Sequence, residues 1–344
     1  YRGFAPTYRT NVSLSGGSNQ TTYFVSASYS DQTGLRYGSR YQRYTLNANV
    51  DTEVNKWLKM GISLSVGHSE SDTNGAGGGD SNGSLFTLPF YSPRDENGKL
   101  KDYVLYKYSS TPNSGFYMPA YNVVKNPRYA EEEDILPIGY ISIEPIKNLV
   151  LKTQAGIQYG VNESEQKTLP SFVLIQTGQP VGSTSYTRRG STKKINNTFT
   201  NTMEYRFNLQ NKHYFTALMG QESVRQMIKW FDAVRYGMPL DELSMLSNGT
   251  RSFGTPVNDS KSVRTFNSLF GRIEYEYNNK YFLDISGRRD GSSIFGRNNR
   301  YANFWAIGGM WKISSEPFLK DVKWLTNLSL RASTGLSGNP AGGD

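Results

Sequence analysis

The sequence predicts an all-β chain: an antiparallel up-and-down transmembrane β-barrel wall of about twelve strands. Three observations predict it. Apolar and polar residues alternate in segment after segment from Asn11 to Gly338. The connections between these segments are short and long in strict turn. Aromatic residues gather towards the segment ends, as amphipathic rings do at the two interfaces of a bilayer.

The strands follow in order. "NVSLSGGS" (Asn11 to Ser18) pairs with "TYFVSASYSD" (Thr22 to Asp31), and "RYTLNANVD" (Arg43 to Asp51) with "WLKMGISLSVGHS" (Trp57 to Ser69). "LPIGYISIE" (Leu136 to Glu144) pairs with "LVLKTQAGIQYG" (Leu149 to Gly160), and "INNTFTNTMEYRFN" (Ile195 to Asn208) with "HYFTALMGQESVR" (His213 to Arg225). A hairpin within Gly271 to Ser293 comes next, then Tyr301 to Ser314 and Asn327 to Gly338. Each has period 2, which puts alternate side chains on opposite faces. Each is near the 9–11 residues or so that a tilted membrane strand needs.

Short connections such as "PIKN", "LQNK" and "NNK" alternate with long ones at 32–42, 70–135, 161–194, 226–263 and 291–300. In a meander, alternate connections lie at opposite ends of the sheet. One end therefore carries tight turns and the other all the large loops, the asymmetry of periplasmic turns and extracellular loops. A soluble all-β adhesin or carbohydrate-binding module also alternates, and stays open as an alternative. So does a plug-less, porin-like channel.

The first strand runs down to a short turn and the twelfth runs up from one. Both chain ends are then expected on the loop side, with two unpaired edges that lipid does not tolerate. The expectation is a partial barrel domain over 1–344, with strands before and after it.

Composition narrows the classes. Only 36% of the 344 residues are hydrophobic, and no run approaches the ~18 apolar residues of a membrane helix. That excludes helical spans and leaves strands open. Cysteine is absent, so there is no disulfide framework and no thiol chemistry. The net charge is +9, but the basic residues are scattered singly and no recognition motif accompanies them. Nucleic acid is therefore not an expected partner.

Motifs for covalent chemistry fail one by one. "NGAGGGDSNG" (Asn74 to Gly83) lacks the Lys-Ser/Thr ending of a phosphate loop and reads as a loop stem. The histidines His68 and His213 stand far apart with no zinc spacing. "AEEED" (Ala130 to Asp134) reads as a solvated acidic cluster closing the longest loop. No enzyme activity, cofactor or metal is expected. A short helix is expected from Leu240, ended by Asn248-Gly249.

Binding is expected in the loops and along the polar strand faces. The loop from Leu85 to Tyr121 is dense in aromatics, which pack against protein or meet a ligand. Its contact candidates are Tyr91, Arg94, Tyr103, Tyr106, Tyr108, Phe116, Tyr117 and Tyr121, with Trp230 from a later loop. In the Gly271–Ser293 hairpin, alternation puts Ile273, Tyr275, Tyr277, Tyr281, Leu283 and Ile285 towards lipid. Arg272, Glu274, Glu276, Asp284 and Arg288 then face the lumen.

Specific stretches resemble one family. "VSLSGGSNQTTYFVSASYSDQTGL" (Val12 to Leu35), "RYTLNANVDTEVNKWLKMGISLS" (Arg43 to Ser65) and "ALMGQE" (Ala217 to Glu222) are similar, in order, to barrel segments of SusC/RagA-type TonB-linked transporters of Bacteroidetes. The residues from Ser268 to Phe318 are the most specific part, and "LRASTGLSGN" (Leu330 to Asn339) closes the match. The loop 70–135 carries no matching motif. The resemblance implies an outer-membrane barrel of roughly 22 strands, plugged by an N-terminal domain. It further implies TonB-driven import of glycans or peptides, a SusD-like surface lipoprotein as lid, and contact with the bilayer. The plug, the TonB-contacting region and the last strands are not in these residues.

Overall fold

The computed structural model describes residues 3–35, 38–73, 92, 94–99, 101–105, 115–174, 177–296, 298–319, 322 and 324–338. Its body is one twelve-stranded sheet in the order β1-β2-β3-β4-β7-β8-β11-β12-β13-β14-β15-β16, every pairing antiparallel. Neighbours in the sheet are neighbours in sequence, apart from two short hairpins in the loops. These are β5 (Tyr103–Leu105) with β6 (Gly115–Tyr117), and β9 (Val173–Leu174) with β10 (Gln179–Pro180). The expected meander of twelve strands is thus the observed one.

Strand length varies systematically. β1 (Thr7–Gly17) has 11 residues and β2 (Thr21–Thr33) has 13, β3 (Arg40–Asn55) and β4 (Leu58–Thr73) have 16, and β7 (Arg128–Ile146) and β8 (Leu149–Thr168) have 19 and 20. β11 (Tyr186–Leu209) and β12 (His213–Tyr236) reach 24, and β13 (Val257–Tyr277) has 21. β14 (Tyr281–Ser292) and β15 (Tyr301–Trp311) fall to 12 and 11, and β16 (Leu330–Leu336) to 7.

Three sequence expectations are corrected by these lengths. The acidic run Glu131 to Asp134 lies inside β7, not in a loop, because the ladder with β4 and β8 continues through it. Trp230 lies inside β12, paired with Thr192 and Ser260. The segment after Leu240 forms only a 3-10 turn, Leu246–Asn248, although Gly249 does follow it as a terminator.

The tight turns close where sequence allows a left-handed backbone. Asn278 and Asn279 have φ of 52° and 53°, and Gln210 and Asn211 have 54° and 52°. Asn tolerates this region because its short amide hydrogen-bonds locally.

Register separates the two faces. One rung reads Val12–Ala27–Leu46–Val66–Ile135–Tyr159–Ile195–Met227–Val263 across nine strands. On the opposite face, Ser13–Ser26–Asn47–Ser65 line up, and the Ser65 hydroxyl donates to Asn47 Oδ1 at 2.9 Å. Large apolar side chains on the first face remain exposed, with Ile62 at 58%, Met219 at 51% and Ile273 at 53%. Among the described residues, no second layer packs on that face. A soluble module would have to cover it, whereas a bilayer does so directly. The buried apolar residues, Met118, Tyr121, Phe172, Val181, Val234 and Met238, all belong to the loop end. Among the described residues, no helix is long and apolar enough to cross a membrane.

Candidate functional site

Two places combine polar chemistry with defined geometry: the polar face of β13–β14 and the packed loop cluster. On the first, Glu274 pairs with Asp284 across the ladder, and Arg272 lies one rung further. Arg272 Nε donates to Asp284 Oδ2 at 2.6 Å, and Arg272 Nη2 lies 2.8 Å from Glu274. Arg288 gathers a second group. It donates to Ser268 Oγ at 2.8 Å and to Asp290 Oδ1 at 2.5 Å, and its Nη2 lies 3.2 Å from Glu222. Its guanidinium also lies over the Phe270 ring at 5.5 Å.

The structure therefore brings Arg272, Glu274 and Asp284 together and holds Arg288 in a separate network. Glu276, opposite Phe282 and Tyr214, shares their face. Ile273, Tyr275 and Tyr277 pair with Ile285, Leu283 and Tyr281 on the other face. A shallow depression of about 540 Å³ on the polar side is lined by Glu274, Glu276, Phe282, Asp284, Met310 and Arg331, among others.

The loop cluster is built from three connections. Phe172 stacks on Tyr121 at 5.8 Å and meets Tyr117 at 4.7 Å, with Met118 and Val181 buried beside them. The Tyr121 hydroxyl accepts from the Val173 N–H at 2.8 Å, while burial holds its pKa above the ordinary value. Lys125 ends the short helix Pro119–Lys125 and pairs with Asp241 at 2.9 Å, although the two stand far apart in sequence. The Ser171 N–H donates to Asp241 Oδ1 at 3.0 Å, and its hydroxyl donates to Oδ2. Burial pushes the Asp241 carboxyl up, but the hydrogen bonds from Ser171 and Lys125 outweigh it and leave its pKa below the ordinary value. Thr187 and Ser185, both fully buried, tie the bases of these loops to Ser244 O and the Met238 N–H.

The loop candidates distribute unevenly. Tyr117 and Tyr121 pack inside this cluster. Tyr103 is half-buried in β5, and Phe116 lies in β6. Arg94 is exposed and donates to Gly98 O at 2.6 Å. Trp230 lies on the polar face of β12, in the part of the strand nearest the loops. Tyr91, Tyr106 and Tyr108 lie outside the described residues.

At the turn end, Glu316 is buried and accepts from Tyr281 Oη (2.7 Å), Lys280 Nζ (3.0 Å) and Trp311 Nε1 (3.1 Å). These bonds hold its carboxyl down at about 2. Sequence reading missed Asp241, Ser171 and Glu316, because nothing local in their segments announces partners so distant. His68, Glu131 and Glu133 come together on the apolar side of the wall, above its apolar rungs, with ligand-capable atoms within 4.8 Å of one another.

A single meander with an apolar band on one face and ion pairs on the other defines the wall of a transmembrane β-barrel. Comparison with known proteins places that wall more narrowly. No family model matches the chain. It is 28% identical to a TonB-dependent receptor of Formosa agariphila over 98% of its own length and 33% of the relative's. It is 26% identical to the TonB-dependent receptor SusC of Bacteroides thetaiotaomicron, over 97% of its own length and 34% of the relative's. The structure of the RagAB peptide transporter superposes with a TM-score of 0.80 at 31% identity, over 96% of this chain and 36% of that one. Over nearly its whole length the chain is similar to the barrel wall of SusC/RagA-type TonB-dependent receptors, which are outer-membrane proteins. It spans about a third of the length of the curated relatives it matches.

Proposed function

We propose that this wall belongs to a TonB-dependent importer of glycans or peptides, working with a SusD-like surface lipoprotein as lid. The observation that carries the reading is the superposition on the RagAB peptide transporter at a TM-score of 0.80 and 31% identity. The peptide cargo of that transporter favours peptide over glycan for this chain as well. On this reading the wall is completed by further strands and a plug, and TonB engages a region beyond this chain. The chain performs no covalent step. Arg272, Glu274, Glu276, Asp284 and Arg288 face the lumen, and the loop residues Tyr91, Arg94, Tyr103, Tyr106, Tyr108 and Phe116, with Trp230, meet lid or cargo, while Tyr117 and Tyr121 pack in the cluster that supports these loops.

Uptake of labelled oligopeptides and oligosaccharides by cells expressing the receptor tests the activity. Import that stops when TonB is deleted supports it, and import that continues returns the passive-channel alternative. The absence of cysteine makes the lumen assignment separately testable. Asp284→Cys is expected to react with a hydrophilic maleimide and Leu283→Cys to resist it. The reverse order refutes the assignment.

A further inference from the structure

The apolar side of the wall carries a row of like charges at its loop end. Lys193, Lys229 and Lys261 are directly opposite one another on β11, β12 and β13. Like charges in directly opposed positions destabilise a sheet unless something neutralises them. Among the described residues, none of the three has an ion-pair partner. Lys193 lies over the Tyr159 ring at 4.7 Å, and Lys229 and Lys261 are exposed.

The neighbouring rungs on the same face define the surroundings. Below the lysines come Ile195, Met227 and Val263, and below these Asn197, Arg225 and Thr265, with Arg225 exposed. Above them come Ser191, Phe231 and Asp259. Of the nearby acids, Glu165 is occupied by Arg189 at 3.3 Å and Lys167 at 2.7 Å, Glu163 and Asp259 stand one rung above the lysines, and Glu133 shares their rung two strands away on β7. The row is therefore a net cationic strip with an apolar rung beneath it, on the face that meets lipid.

Height fits the same occupant. At a rise of ~3.3 Å per residue and a tilt of ~40°, the row stands roughly 40 Å above the His213 turn, beyond the upper edge of an apolar band ~25 Å tall. That is the level of charged headgroups and inner sugars, not of acyl chains.

We propose that Lys193, Lys229 and Lys261, with Arg225 below them, bind the phosphate groups of an anionic outer-leaflet glycolipid. Ammonium groups act as point charges on phosphate. The bound lipid neutralises the row and holds the tall part of the wall in a fixed environment.

The test uses the full-length receptor in vesicles, comparing wild type with K193Q/K229Q/K261Q and with the corresponding triple Arg variant. Heat-modifiable gel mobility shows that each is folded. Titration with phosphorylated lipopolysaccharide is expected to raise the wild-type thermal midpoint, with affinity at least tenfold weaker in the Gln variant and restored in the Arg variant. K152Q/K194Q, on the opposite face, is expected to bind as wild type. Equal binding by the Gln variant, or equal binding of dephosphorylated lipopolysaccharide, overturns the proposal. Full competition by millimolar inorganic phosphate assigns the row to free phosphate and also overturns it. So does retention of an acidic protein by the row with no response to the lipid.

Discussion

Ile273→Arg is the sharpest test of which face meets lipid. Ile273 is 53% exposed, sits opposite Ala217 and Ile285, and has no polar partner on its face. It lies four positions above Tyr277, where β13 turns. At ~3.3 Å per residue and ~40° of tilt, that is about 10 Å into a band ~25 Å tall, close to its midplane. Arginine at that depth costs about 2–4 kcal/mol in a membrane barrel. Thr216→Arg, on the other face and opposite Glu274, meets acidic neighbours instead and is expected to stay within about 0.5 kcal/mol, as substitutions that disturb no buried contact do. Urea unfolding of the receptor from lipid vesicles reads the difference. If Ile273→Arg costs no more than Thr216→Arg, the two faces have been exchanged and the lipid assignment fails.

Three further outcomes follow from single contacts. Asp241→Asn removes the charge that pairs with Lys125 and is expected to loosen the loop cluster by about 1–2 kcal/mol, read as faster proteolysis within 237–256 with the wall intact. Because the folded Asp241 pKa is lowered, its brace is fully present above the ordinary carboxylate value of about 3.9 and is lost as pH falls through the lower folded value. Hydrogen exchange in the loops, compared at neutral and strongly acid pH, checks the sign. Glu316→Gln is expected to speed exchange at the turn after β15. In the wild type, whose carboxyl stays charged down to about 2, protection there, relative to the intrinsic exchange rate at each pH, should hardly change on mild acidification. Asn278→Ile places a β-branched residue at a φ of 52° and is expected to cost about 1–2 kcal/mol, measured as a lower refolding yield, while Asn278→Gly is tolerated.

The wall was legible in the sequence because a strand exposed to two different media writes both into its alternation. The Ile273–Tyr275–Tyr277 and Arg272–Glu274–Glu276 sets fall on opposite faces as alternation requires. Alternation failed beyond the apolar band. β11 and β12 continue through Lys193 and Trp230, and β7 begins at Arg128, in stretches that are polar on either side. There only the backbone ladder defines the strand, and it leaves no hydrophobic period to read. The Lys125–Asp241–Ser171 brace joins three loops, and no local pattern encodes a contact between segments so far apart. The expected helix after Leu240 shrank to a single turn because Ser244 and Asp241 spend their hydrogen bonds on other loops and on local carbonyls.

Strand length has a consequence for the mouth of the barrel. The tight turns share one edge, so a rise from 16 residues in β3 and β4 to 24 in β11 and β12, and a fall to 12 and 11 in β14 and β15, appear wholly at the other edge. The rim slopes. Within this wall it stands high at β11–β13 and lower at β3–β4 and β14–β15, so a molecule arriving over it meets a parapet between two lower sills. Approach is thereby biased in direction before any side chain makes contact, and whatever seats on this rim must sit aslant.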